Sequence, residues 1–153
     1  MQGDKRPKES RPVTAAEMFH RLHQFVKNYD ADGQADLFAE TGVWEFPLAT
    51  GTIPRRLEGR ENIRAFGKAG MERSKSAGRR IIGYRSMVIH ETLDPNTVIV
   101  EFELEGEVVA KGEKYVIPYI QVLRVMNGEI VLLRDYFSVE SLQAILQLEE
   151  QIQ

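Results

Sequence analysis

Cysteine is absent from this chain of 153 residues, which removes disulfide staples, thiolate zinc sites and a thiol nucleophile and suits a reducing compartment. Long apolar runs are missing too. The most hydrophobic stretch is broken by Pro118, Gln121 and Arg124, so no segment approaches the ~20 apolar residues of a membrane span. The first residues carry charges where a signal peptide needs an apolar run. Neither sign of charge dominates: 20 basic and 23 acidic side chains give a net charge of −3, with no global attraction to nucleic acid or an anionic membrane. Gly-rich phosphate loops, nucleophile elbows and dinucleotide fingerprints do not occur. What is present is ordinary for a soluble globular protein, 42% hydrophobic and 28% charged, at a length that predicts one domain. A cytosolic protein is expected, with residues 1–12 as a disordered tail and 13–153 as the folded unit.

Helical periodicity comes first. Thr14-Ala15-Ala16-Glu17 is a capping-box pattern, and Met18, Leu22, Phe25, Val26 and Tyr29 recur as the core stripe of a first helix. Asp30-Ala31-Asp32-Gly33 breaks it, and Ala35, Leu37 and Phe38 suggest a short second helix. Val43 to Phe46 reads as a short strand ended by Pro47, followed by a loop from Leu48 to Leu57. A third helix runs from about Gly59 to Ser76, with Ile63, Phe66, Gly67, Gly70 and Ser74 on one face. The period then changes to two. Ile81–Glu91, Thr97–Val109, Tyr115–Met126 and Glu129–Phe137 read as four antiparallel strands, joined by turn residues at Asp94-Pro95-Asn96, Lys111-Gly112 and Asn127-Gly128. Ser138 caps a last helix with Val139, Leu142, Ile145 and Leu146 as its stripe. Layer rules make this an α+β fold with helices on one face of a bent sheet.

One residue stands out chemically. Asp135 alternates with Val131, Leu133 and Phe137, while Arg134 points the other way and cannot neutralise it. A carboxylate so surrounded has its pKa raised and suits proton transfer, although such an acid also serves to accept backbone amides or to cap a helix. Ile117, Tyr119 and Gln121 share a face on the neighbouring strand, so the Tyr119 hydroxyl can enter the same cavity. Glu45, between Trp44 and Phe46, is either solvated or aimed into that cavity. His20 and His23 stand three apart on the first helix, with His20 on the polar side and His23 at the flank of the stripe. No third ligand is positioned, so no metal site is expected. His90 reads as a structural strand histidine. Basic residues crowd Arg55–Arg85 and acidic ones Ser86–Glu113, which suggests a solvated surface, self-complementary within a dimer.

Trp44-Glu45-Phe46-Pro47, Leu57-Glu58-Gly59-Arg60-Glu61 and Arg134-Asp135-Tyr136-Phe137 resemble the SnoaL-like branch of the nuclear-transport-factor-2-like superfamily. That branch includes polyketide cyclases, ketosteroid isomerases, limonene-epoxide hydrolases and phenazine-biosynthesis A/B proteins. Glu91-Thr92-Leu93-Asp94-Pro95-Asn96 before Val100-Glu101 is most like the phenazine type. The resemblance implies a cone-shaped barrel of a strongly curved, mainly antiparallel sheet, covered by N-terminal helices and ended by a C-terminal helix, with an apolar pocket inside and usually a homodimer. Asp135 falls where epoxide hydrolases carry a catalytic Asp and phenazine proteins a Glu. The epoxide-hydrolase Arg and second Asp fall on Phe102 and Leu104, the phenazine helix His on Phe66, and the ketosteroid-isomerase base near Phe46 or Glu45.

The expected site therefore has Asp135, Tyr119 and Glu45 as its polar groups and Trp44, Ile63, Phe66, Phe102, Leu104, Ile117, Leu133 and Phe137 as the pocket. The expected activity is cofactor-independent acid/base chemistry (cyclisation, isomerisation or epoxide opening) on a hydrophobic cyclic metabolite; the alternative is a binding protein for such a molecule. Val116, Ile120, Val122, Ile130 and Leu132 are the expected dimer face.

Overall fold

The computed structural model describes residues 11–141. Most of the expected tail and the stripe residues Leu142, Ile145 and Leu146 of the expected last helix lie outside them. The element order is α1 (Ala15–Lys27), α2 (Ala31–Asp36), β1 (Phe38–Glu45), β2 (Arg56–Glu58), α3 (Arg60–Ser76), β3 (Arg79–Glu91), β4 (Thr97–Val108), β5 (Glu113–Met126) and β6 (Glu129–Phe137). The strands form one six-stranded sheet in the order β2-β1-β6-β5-β4-β3, antiparallel at every step except the parallel β1–β6 pair. The fold is α+β, as expected. The sheet is not closed, because β2 and β3 are its two edges. No helix among the described residues is long and apolar enough to cross a membrane.

Local chemistry accounts for the element boundaries. Thr14 Oγ1 accepts from the Glu17 amide at 3.1 Å and starts α1. Asp30 ends nothing by itself; it caps α2 by accepting from the Gly33 amide at 2.8 Å. Leu37 is the C-cap of α2 and Phe38 leaves helical geometry, against expectation, because β6 offers a better partner. The Ile130 amide donates to Leu37 O at 2.8 Å, and Phe38, fully buried, pairs with Ile130 as β1 begins. Strand β1 is thus longer than the Val43–Phe46 segment predicted. The short β2 lies in the expected loop: two of its three residues are charged, and its pairing to Val43–Glu45 is invisible to periodicity. Gly59, with φ of +89°, makes the left-handed entry into α3 while its amide donates to Gly42 O at 2.8 Å.

Helix α1 packs on the inner face of the sheet around Met18, Phe19 and Leu22. Its buried stripe is rotated from the predicted one, so His23 points inward and is 7% exposed. Ile130 is also displaced from its expected outer position. A register shift between Arg124 and Val125 in the β5–β6 pairing turns both Ile130 and Leu133 into the core. Val116, Ile120, Val122 and Leu132 remain outside it, with Ile120 exposed. Many of the basic residues are paired within the same chain. Arg85 pairs with Glu103 and Glu105, Arg80 with Glu107, and Arg64 with Asp32, Asp36 and Glu61.

Candidate active site

The inner face of the sheet, α1 and α3 enclose a cavity of about 300 Å³. Rings form a large part of its wall. Trp44 comes from β1 and Phe46 from the residue just after it, Phe66 from α3, Phe102 from β4, Tyr119 from β5 and Phe137 from β6; Leu104, Ile117 and Leu133 fill between them. Trp44 lies 4.8 Å from Phe46 and 5.7 Å from Phe66, centroid to centroid, and Tyr119 stacks on Phe102 at 5.3 Å and 5°. Gly106 is required here. A Cβ on it would overlap the ring of Tyr115, its β5 partner and another wall residue.

Asp135 opens into this apolar hollow and is 5% exposed. Burial is the main influence on it and pushes its pKa up to about 7. The Gln121 amide and the Trp44 indole lie close enough to favour the ionised form and offset part of that rise. Among the described residues neither Trp44 Nε1 nor Asp135 Oδ1 completes a hydrogen bond of normal geometry. The Tyr119 hydroxyl has its pKa raised as well, first by burial and then by the nearby Asp135 charge.

Gln121 stands directly opposite Asp135 in the β5–β6 register, and its Oε1 lies 2.8 Å from His23 Nε2. Burial lowers the His23 pKa to about 4, so the ring is neutral near pH 7. Its Nδ1 has no hydrogen-bond partner among the described residues. An orphaned lone pair costs less than an orphaned N–H, so we assign the proton to Nε2, which donates to Gln121 Oε1. The amide NH₂ of Gln121 is then turned away from His23 and is the group presented to Asp135. Phe19, Tyr84 and Phe102 hold the imidazole, with ring centroids at 4.4, 4.7 and 5.0 Å.

Two of the expected site residues lie elsewhere. Glu45 is outside the cavity: its carboxylate accepts from Arg134 at 3.0 Å and from Arg56, both on the other side of the sheet from Asp135. The two-residue period of β1 dictates this once Trp44 and Phe46 face inward. Ile63 is fully buried in the core beneath α3 rather than in the cavity wall. His20 is exposed while His23 is buried, so the pair does not converge on one ligand position, and the described residues contain no metal-binding group of three or more. Sequence reasoning did not place His23 in the site. The signal was Phe19, whose burial shifts the α1 stripe by one position towards His23.

A family model described as a SnoaL-like domain matches residues 19–133. An uncharacterised PhzA/B-like protein of Pseudomonas aeruginosa is 34% identical over 126 residues, covering 82% of this chain and 85% of the relative. A solved Bacillus subtilis structure named as a candidate isomerase has a TM-score of 0.73 at 28% identity, covering 85% of this chain and 90% of that one. A candidate polyketide cyclase of Pseudomonas putida shares the fold at 19% identity, with a TM-score of 0.62 over 84% and 94% of the two chains.

Proposed function

We infer that this chain, which belongs to the SnoaL-like domain family, is a small-molecule enzyme in which Asp135 moves a proton on a hydrophobic cyclic substrate. The fold is one on which cyclase-like and ketosteroid-isomerase-like proteins are built, and such a scaffold leaves the reaction to the site. The observation that carries the reading is a buried carboxyl group, raised to a pKa of about 7, with one oxygen unpartnered among the described residues and facing a cavity rich in rings. A group of that pKa takes a proton and returns it near neutral pH. Gln121, held by His23, keeps the carboxylate aimed, and Tyr119 supplies a hydroxyl that stays protonated. Isomerisation and cyclisation both begin with such a transfer at carbon, and the reading assigns no organic cofactor. It also assigns the outer surface around Ile120, Val122 and Leu132 to a second copy, which size-exclusion chromatography with light scattering tests.

The proton-transfer claim does not require the natural substrate. Incubation with 2-tetralone, a fused-ring ketone with acidic C–H bonds, in D₂O reports transfer directly as deuterium uptake by mass spectrometry. The protein is expected to accelerate uptake and Asp135→Asn to abolish the acceleration. Equal uptake in both would contradict the reading and leave a cavity that only binds.

A further inference from the structure

Gln34 of α2 is 4% exposed and lines the cavity, and the chemistry of Asp135 makes no use of it. Its backbone amide donates to Asp30 O at 3.1 Å and continues the helix, while its side-chain amide makes no hydrogen bond among the described residues. Buried side-chain amides are nearly always bonded, so one that borders a hollow points to a polar group brought by a ligand. Helix α3 makes room for it. A Cβ on Gly67 would stand 2.9 Å from Gln34 Oε1, and one on Gly70 would meet nothing within 4 Å. Glycine weakens a helix interior, yet α3 carries both on the face that lines the cavity. With Oε1 turned to Gly67, the NH₂ group is the end of the amide left for the cavity, and an orphaned N–H costs more than an orphaned lone pair.

We propose that Gln34 is a recognition residue whose NH₂ donates to an uncharged oxygen (ether, carbonyl or hydroxyl) on the side of the substrate that faces the helices. Asp135 and Tyr119 belong to the opposite wall, the inner face of the sheet. The substrate class is therefore a ring molecule with two polar functions, one presented to Asp135 and a second, an oxygen acceptor, held by Gln34. This rests on the reading of the cavity as the substrate site and adds the contact that fixes which way round the ring lies. The surroundings favour an uncharged oxygen. Leu22 and Val26 of α1 and Met71 of α3 line the same helical wall, and a charge among them would lose its hydration without a partner. Arg73, the first cation of α3 to line the cavity, stands about 9 Å beyond Gly67 along the helix axis, at ~1.5 Å per residue. Gly67 acts through Gln34, as the residue that leaves its amide space.

The probes are 2-methoxynaphthalene, whose ether oxygen only accepts, and 2-ethylnaphthalene, which has the same shape without the oxygen. Above pH 8 Asp135 is ionised and also only accepts, so it offers the ether nothing. The methoxy probe is expected to bind about tenfold more tightly than the ethyl probe, the effect of one hydrogen bond to a buried donor. It should also move the side-chain amide resonances of Gln34 in ¹⁵N-labelled protein, which Gln34→Met assigns by their loss. Gln34→Met should erase the preference, and Gly67→Ala, whose Cβ displaces Oε1, should reduce it. The comparison of the two probes in the parent protein needs no variant. Equal binding with unmoved Gln34 resonances would overturn the proposal, as would a preference that survives in Gln34→Met or binding of neither probe. Deuterium uptake by 2-tetralone on the parent keeps the two readings apart. Uptake without an oxygen preference would overturn the role of Gln34 alone, and a preference without uptake would support Gln34 and overturn the role of Asp135.

Discussion

Arg134 and Asp135 are neighbours on one strand, yet they live in different solvents. On the outer side Arg134 meets Glu45 at 3.0 Å, and Arg56 closes a short chain of paired, partly exposed charges. Along β4 the same arrangement repeats, with Glu103, Glu105 and Glu107 met by Arg85 and Arg80. On the inner side no cation among the described residues pairs with Asp135, although Arg73 and Arg79 line the same cavity; its polar neighbours are the Gln121 amide and the Trp44 indole. The outer carboxylates are solvated and paired. The inner one is lifted to about 7 by burial. The raised pKa of Asp135 thus follows from what is withheld from a carboxylate rather than from what is added to it.

The sharpest way to break this contrast is to replace the inner acid. Asp135→Asn should lower proton exchange in 2-tetralone by roughly 10²–10⁴-fold, the usual contribution of a general base. The same change carries a stability signature. Between its ordinary value of 3.8 and about 7, folded Asp135 holds a proton that the unfolded chain has lost. The parent protein therefore loses stability as pH rises through that window. Above pH 8 Asp135→Asn should be the more stable form by up to about 4 kcal/mol, with the difference fading towards pH 4, as urea midpoints will report.

His23 gives a smaller effect of the opposite sign. Its pKa is lowered from 6.5 to about 4, so between those values the unfolded chain binds a proton that the folded one refuses. That contribution lowers stability as pH falls, by up to about 3 kcal/mol across the window. In the parent the two slopes oppose each other. His23→Phe should leave a stability that falls from pH 4 to 7, whereas Asp135→Asn should leave one that rises from pH 4 to 6.5. A flat profile in His23→Phe would mean that Asp135 is not desolvated.

Much of this frame was legible in the residues. The alternation of Val98, Val100, Phe102 and Leu104 with four glutamates places one face of β4 in the core and the other in solvent. The same alternation singles out Asp135. What periodicity could not supply was anything set by pairing between distant segments. The parallel β1–β6 contact pulls Phe38 into a strand, the shift near Val125 turns Ile130 inward, and the pairing of β2 onto β1 gives Glu45 its arginine on the outside. His23 was hidden for a related reason. A helix face is chosen by what it packs on, and one ring, Phe19, decides it here.

The outer charges should matter least. Glu45→Gln removes a partner from Arg134 and Arg56, whose side chains are 36% and 51% exposed, and exposed pairs contribute roughly 0–1 kcal/mol. Exchange activity should be unchanged and the urea midpoint barely moved. A large loss of exchange in this variant would mean that the two faces are not independent.

The most direct measurement is the titration of the Asp135 carboxyl carbon by ¹³C NMR in aspartate-labelled protein, with Asp135→Asn assigning the resonance. A midpoint near pH 7 is what a carboxylate held in an aromatic hollow should give. A midpoint near the ordinary aspartate value of 3.8 would contradict the account.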